Sequence, residues 1–303
     1  MTTGVVPVPR TLLIGAGGQL GSDIARVWPP ERLTQFMHAD ADVTDRGRLS
    51  ELIAAARPDL VINTAAFHNV DLCEAEPDRA FSVNATGAMH VADACREAGA
   101  ALIFVSTDYV FGGSTGRAYT EQDVTDPINV YGVSKAAGEQ LVRSRLAEHY
   151  IVRTSGLFGV AGSGGKGGNF VERMLQLAAE GRDLQVVNDQ RLSPTYAADL
   201  AAKLLEIAST GRFGTYHVTN RGACSWYEFA RTIFEMAGVD AKLSPTTTAA
   251  FAARARRPAY SVLENAALGR EGVPLMRRWQ EALGDYLRST GRLVNREQIA
   301  GGT

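Results

Sequence analysis

Leu12-Leu13-Ile14, Leu60-Val61-Ile62 and Leu102-Ile103-Phe104-Val105 are short apolar runs with no polar alternation. Longer helical patterns separate them, one from about Ser22 and another from Phe81 to Ala98. A strand with one wet face alternates apolar and polar residues, so unbroken runs indicate strands buried on both sides. Such strands, alternating with helices, build a parallel sheet covered on both faces. The expected fold is α/β: a Rossmann-type doubly wound parallel sheet with a smaller, interleaved C-terminal substrate domain.

The character changes after about Ser155, where a glycine-rich stretch from Gly159 to Gly168 precedes a helical pattern from Asn169 to Glu180 and a later helix from Trp226 to Ala237. The expected division is a dinucleotide-binding domain over 1–155 and a mainly substrate-binding part over 156–290. Returns to the sheet are expected near 184–217, from Leu184-Gln185-Val186-Val187 and the helix Ala197 to Ala208. Residues 291–303 read as a flexible tail. With 303 residues, 45% of them apolar, the chain can bury a large core.

A net charge of −2 gives no broad attraction to nucleic acid or an anionic membrane, so neither is an expected partner. Cys73, Cys95 and Cys224 are odd in number and widely spaced, which suggests neither a disulfide framework nor a zinc site. No signal-like N-terminus or membrane-length apolar run occurs, and the expected location is cytoplasmic.

Immediately after the first apolar run stands Gly15-Ala16-Gly17-Gly18-Gln19-Leu20-Gly21, a G-x-x-G-x-x-G arrangement opening a helix. Glycines there permit a tight turn and close backbone approach to a pyrophosphate, while the helix N-terminus offers unpaired N–H groups. An acidic residue at the end of the second strand would favour a free ribose, and an Arg a 2′-phosphate. Met37 and His38 are neither.

Tyr131-Gly132-Val133-Ser134-Lys135 places a phenol and an ammonium one helical turn apart on one face. A cation beside a phenol is expected to lower its pKa towards the working pH, as a general acid for a ketone requires. Only four lysines occur in the chain, against nine tyrosines, which makes a chance pairing at this spacing uncommon. Thr107 closes the run Leu102 to Val105 at the sheet's ligand-binding end, where a hydroxyl can bond a substrate carbonyl. Ser106 competes for that role or caps the strand.

These segments, together with Asp42-Val43-Thr44-Asp45, Asn63-Thr64-Ala65-Ala66, Ser106-Thr107-Asp108-Tyr109-Val110-Phe111, Arg153-Thr154-Ser155, Ser193-Pro194-Thr195, Ser225-Trp226-Tyr227 and Arg257-Pro258-Ala259-Tyr260-Ser261, resemble successive signatures of the dTDP-4-dehydrorhamnose reductases from about Thr11 to Leu287. The family belongs to the extended short-chain dehydrogenases. The resemblance implies reduction of dTDP-4-dehydro-6-deoxy-L-mannose to dTDP-L-rhamnose, with NADPH as cofactor and NADH also accepted. It implies Thr107, Tyr131 and Lys135 as the catalytic set, Lys135 binding the nicotinamide ribose and depressing the Tyr131 pKa. It further implies cofactor contacts at Gly15, Gly18, Gln19, Leu20, Asp42, Val43, Ala65, Ala66, Tyr131 and Lys135, and substrate contacts at Phe67, His68, Tyr109, Asn169 and Arg257. A homodimer is expected; some relatives dimerise around a metal ion, but no acidic ligand set maps here and no metal is expected.

Two departures bear on the sugar. Gly156 stands where many members have Trp after Arg-Thr-Ser, so packing is expected to pass to Phe67, Tyr109 or Phe158, and Phe67-His68 replaces the common Tyr-Thr. Trp226 and Phe229, three apart, read as core. Asn63 and Asn84 read as loop holders. Arg257 fits either a pyrophosphate or a structural pairing. Alternative functions are a reductase or epimerase of another nucleotide-linked deoxysugar, or a non-catalytic regulatory subunit; the intact Tyr131, Lys135 and Thr107 set argues against the last.

Overall fold

Three of the six parallel strands of the sheet coincide with the apolar runs. In the computed structural model, which describes residues 8–161 and 168–293, the six strands are β1 (Thr11–Ile14), β2 (Leu33–Phe36), β3 (Leu60–Asn63), β4 (Ala101–Thr107), β5 (His149–Thr154) and β6 (Gly214–His217). Their order is β2-β1-β3-β4-β5-β6. Leu12 lies opposite Val61, Ile62 opposite Ile103, and Val105 opposite Val152. The chain runs outward from β1 to β2 and then crosses to the other side of β1. That reversal, at the carboxyl ends of β1 and β3, is where open α/β sheets bind ligands.

Among the described residues, eight helices of nine or more residues accompany the sheet: α1 (Gln19–Val27), α2 (Arg46–Ala56), α3 (Gly87–Ala98), α4 (Val130–Arg145), α5 (Phe170–Ala179), α6 (Ala197–Ala208), α7 (Trp226–Ala237) and α8 (Trp279–Ser289). Successive strand residues point to opposite faces. Leu13, Ile62, Ile103 and Val152 therefore pack with Leu20, Ile24, Leu200 and Leu204 of α1 and α6. On the other face Leu12, Val61, Leu102, Phe104 and Ile151 meet Leu49, Ile53 and Val91 of α2 and α3. Both faces are dry, so every residue of a run must be apolar; truncating one such side chain to Ala costs ~2–5 kcal/mol. A third core, with Phe158, Phe229, Ile233, Trp279, Leu283 and Tyr286, joins α7 and α8 to the segment after β5.

The interleaving is real but differs in one piece. Helix α6 returns to pack on α1, and β6 extends the sheet beyond β5. Leu184–Val187 does not return: it pairs in parallel with Leu243–Thr246. Its Leu184 and Val186 are buried in the third core, and β6 occupies the edge of β5. The stretch from Phe81 to Ala98 is also not one helix. Pro77–Phe81 is followed by a π-helical turn, Ser82–Thr86, before α3 begins, and such turns often mark functional regions. Helix α1 begins at Gln19, not Ser22, directly on the glycine loop. The expected tail lies largely outside the described residues, beyond 293. Among the described residues no helix is long and apolar enough to cross a membrane.

Candidate active site

The glycine loop divides its work between fold and cleft. Gly15 leaves β1 at φ +85°, a conformation that L side chains rarely adopt, and its N–H bonds the Phe36 carbonyl of β2 at 3.0 Å. A Cβ on Gly21 would lie 2.2 Å from the Gly15 carbonyl oxygen, so this glycine lets α1 sit against the loop. At Gly18 the nearest atom to a Cβ is that same oxygen, at 3.3 Å, and Gly18 faces open space in a cleft of about 920 Å³. Gly18 is also the N-cap of α1 and supplies no side-chain cap, so the first N–H groups of the helix are left for an anion.

Thr64 buttresses this loop, its hydroxyl donating to the Ile14 carbonyl at 2.8 Å. Asn63 accepts from the Ala65 N–H at 3.0 Å, and Asn84 holds Phe67 through both its N–H, at 2.9 Å, and its carbonyl, at 3.0 Å. Both asparagines hold loops, as the sequence suggested. Asp42 accepts from the N–H and hydroxyl of Thr44, at 2.9 and 2.8 Å, which lowers its pKa. His38, Asp42 and Val43 border the same end of the cleft. Met37 and His38 themselves carry no acid, but Asp40, which accepts from the Met37 N–H at 2.9 Å, and Asp42 stand close by.

Helix α4 is set against the sheet by two close approaches. Asn129 caps it by accepting from the Gly132 N–H at 2.8 Å, and a Cβ on Gly132 would lie 2.1 Å from the Tyr109 carbonyl oxygen. That contact explains the glycine between Tyr131 and Lys135: the turn after β4 and the first turn of α4 touch backbone to backbone. Tyr131 stands edge-on to Tyr109, with ring centroids 6.0 Å apart, and its phenol is in hydrogen-bonding reach of Thr107. The Thr107 hydroxyl accepts from the Tyr109 N–H at 3.2 Å and donates to Asp108 at 3.0 Å. Ser106 points the other way and donates to Glu139 at 2.6 Å, which removes it as a rival to Thr107.

The electrostatics differ from the expectation at Tyr131. Burial pushes the phenol above its usual range; a hydrogen bond with Thr107 opposes this and Asp108 reinforces it. Lys135 does not supply the lowering effect, because its ammonium is turned to the Val105 carbonyl at 2.7 Å and lies 3.9 Å from the Phe104 ring centre. Burial lowers Lys135 itself to about 7, with Glu139 acting in the opposite direction. The half-buried phenol on the cleft wall is thus held protonated by partial desolvation, not poised by a neighbouring cation. Asp108, which accepts from Ser155 at 2.8 Å and Ser261 at 2.5 Å, is pushed by burial up to about 6, against those hydrogen bonds.

One cleft brings together the glycine loop, Gln19, Leu20, Ala65, Ala66, Phe67, His68, Thr107, Tyr109, Tyr131, Lys135 and Asn169. The polar atoms of Asn169 are already used: its carbonyl caps α5 through the Glu172 N–H, and its amide donates to the Gly159 carbonyl and the Tyr286 hydroxyl. Arg257 is not among the residues lining the cleft; it pairs with Asp71 at 2.7 Å, beside Tyr109. Phe158, expected to help pack the sugar, is fully buried in the third core. The apolar wall is formed instead by Phe170 and Trp226, with ring centroids 4.7 Å apart, together with Leu157 and Leu192. Phe229 is core, as its spacing implied, while Trp226 is partly buried, packing against that core and bordering the cleft. Its place in Ser225-Trp226-Tyr227, opening α7 right after a capping serine, was the available signal: a first-turn residue faces the loops, not the helix packing. Among the described residues no cluster of three or more His, Cys, Asp or Glu could hold a metal.

A family model described as RmlD substrate binding domain matches residues 9–291. The spore coat polysaccharide biosynthesis protein SpsK of Bacillus subtilis is 41% identical over 92% of this chain and 96% of its own length. The dTDP-4-dehydrorhamnose reductase of Streptomyces griseus is 41% identical over 91% of this chain and 92% of its own. The crystal structure of the dTDP-4-dehydrorhamnose reductase of Bacillus anthracis in complex with NADP superposes with a TM-score of 0.89, at 39% identity, covering 93% of this chain and 100% of that one. With matching sequence, matching fold and the Tyr131, Lys135 and Thr107 arrangement in one cleft, the chain belongs to the dTDP-4-dehydrorhamnose reductase family.

Proposed function

We propose that the chain reduces the 4-keto group of dTDP-4-dehydro-6-deoxy-L-mannose to give dTDP-L-rhamnose, with NADPH as the preferred cofactor. The observation that carries this is the convergence of Thr107, Tyr131 and Lys135 with the uncapped N-terminus of α1 in a single cleft. The cleft fits a dinucleotide on its own geometry: Gly18 leaves room beside free helix N–H groups, where a side chain would block a pyrophosphate.

A bound nicotinamide supplies the hydride. Tyr131, kept protonated by burial, stands ready to give its proton to the oxygen of the reduced carbonyl. Thr107 orients that oxygen by turning its hydroxyl from Asp108 towards the substrate. An ammonium has three donors, and Lys135 spends one on the Val105 carbonyl, leaving others for a ribose. Phe170 and Trp226 offer the flat apolar surface missing at Gly156, and the polypeptide's main contribution is position. A homodimer acting in the cytoplasm completes this reading, and light scattering on the purified protein tests the oligomer.

The direct experiment follows NADPH oxidation with dTDP-4-dehydro-L-rhamnose and identifies the sugar product. Formation of dTDP-L-rhamnose is the expected outcome. NADPH binding without turnover of this sugar, alongside turnover of a different keto sugar, would transfer the assignment to that substrate.

A further inference from the structure

Helix α4 turns three side chains of one face towards β4. Tyr131, Lys135 and Glu139 are four residues apart and share one helix face. They engage three consecutive strand residues: Tyr131 reaches Thr107, Lys135 donates to the Val105 carbonyl at 2.7 Å, and Glu139 accepts from Ser106 at 2.6 Å. All three strand residues, Tyr131 and Lys135 border the cleft, whereas Glu139 lies behind it, fully buried.

Glu139 is held on every side. Its Oε1 also accepts from Arg153 Nε at 2.9 Å, and its Oε2 accepts from Arg153 at 2.6 Å and Arg143 at 3.1 Å. Arg153 belongs to β5, so one carboxylate joins α4 to two neighbouring strands. Buried ion pairs are weak sources of net stability, since apolar side chains of equal volume often serve as well. The fork geometry of carboxylate and guanidinium, by contrast, fixes distance and angle.

We propose that Glu139 is a positioning residue for the reductive step: its clasp on Ser106 and Arg153 fixes the Thr107 end of β4 against the helix face that carries Tyr131 and Lys135. The proposal rests on the functional reading above. The charged or titratable groups facing Glu139 are Lys135, Arg143 and Arg153, with His217 behind Arg153 at 3.4 Å. Burial lowers His217 to about 3, so it is neutral and adds no charge. The Glu139 charge helps Lys135 keep its proton, so removing it leaves burial unopposed and lowers Lys135 further.

The test uses the full chain with Glu139→Gln, which keeps an acceptor but removes the charge, and Ser106→Ala, which cuts one tether and leaves every charge paired. Measurements are kcat and KM for the keto sugar, the pH dependence of NADPH affinity by fluorescence, and Tm. Because displacement of about 1 Å costs about a hundredfold in rate, Glu139→Gln is expected to lose about ten- to a hundredfold in kcat with KM changed less than about threefold. The pH at which NADPH affinity falls moves lower in Glu139→Gln and stays in place in Ser106→Ala, which loses kcat alone. A structural role would lower Tm and leave that pH unmoved. Wild-type kcat and an unmoved pH dependence in Glu139→Gln overturn the proposal; if that variant does not fold, wild-type kcat in Ser106→Ala overturns it. Should the wild type bind NADPH yet not reduce the sugar, the functional reading fails, and the pH dependence of NADPH affinity still decides on Glu139.

Discussion

Two glycines three residues apart separate the stability of the loop from its capacity to bind. A methyl on Gly21 would lie 2.2 Å from Gly15 O, 2.8 Å from Ala16 Cα and 3.0 Å from the Ala16 carbonyl carbon. Unstrained contacts need ~3.5 Å, and all three neighbours are backbone, so α1 must move away from the loop by about 1 Å. Overpacking of this kind costs up to ~3 kcal/mol, of which the better helix propensity of Ala over Gly returns ~1 kcal/mol. A net loss of about 2 kcal/mol lowers the Tm of a chain this size by roughly 4–8 °C. At Gly18 the only near atom is Gly15 O at 3.3 Å, and the backbone, at φ −77°, suits any residue. Gly18→Val is therefore expected to fold, but its branched side chain occupies the approach to the free N–H groups of α1. Loss of a helix-terminus anion site is worth up to ~2 kcal/mol, or about thirtyfold in NADPH affinity, and a direct clash deepens it. Differential scanning fluorimetry and NADPH fluorescence titration measure the two effects separately. Gly18→Val with wild-type affinity, or Gly21→Ala with wild-type Tm, would show that the division of labour is wrong.

Tyr131→Phe keeps the ring and removes the proton donor, so kcat is expected to fall ~10²–10⁴-fold with NADPH affinity and Tm unchanged. Because burial raises the phenol, the wild-type rate should show no Tyr131 limb below the free value of ~10; a limb near pH 8, absent from the Phe variant, would contradict the burial argument. Lys135 has a folded pKa of about 7 against an ordinary 10.5, so between these values the unfolded chain holds the extra proton and rising pH favours the native state. Urea melts of the wild type should show that gain across the window, and Lys135→Met should lack it while binding NADPH more weakly. Gly156→Trp restores the common family residue but places it at φ +53° with its Cβ 2.6 Å from Leu192 and 3.2 Å from Pro194. Strain of ~1–2 kcal/mol should reduce Tm and kcat/KM for the keto sugar, whereas a gain in both would show that the cleft can reopen there.

The properties legible in the sequence are those with a short period. Unbroken apolar runs such as Leu102 to Val105 announced strands dry on both faces, because side chains alternate every two residues whatever surrounds them. The spacing of Tyr131 and Lys135 placed them on one helix face, and the Gly15 to Gly21 loop marked the turn into α1, because 3.6-residue periodicity and the steric freedom of glycine are local. What partners each group meets was decided only by packing across the chain. Arg257 finds Asp71 186 positions away, a partner that no local pattern in the sequence shows. Leu184–Val187 has three apolar residues of four, yet Leu243–Thr246 captures it while β6 takes the sheet edge. Trp226 faces the cleft and Phe158 the core, the reverse of their expected places, because the third core assembles around α7 and α8. The sign of the Tyr131 shift follows the same rule: spacing set its distance along the helix from Lys135, but the Val105 carbonyl turned that ammonium aside, so desolvation outweighed proximity.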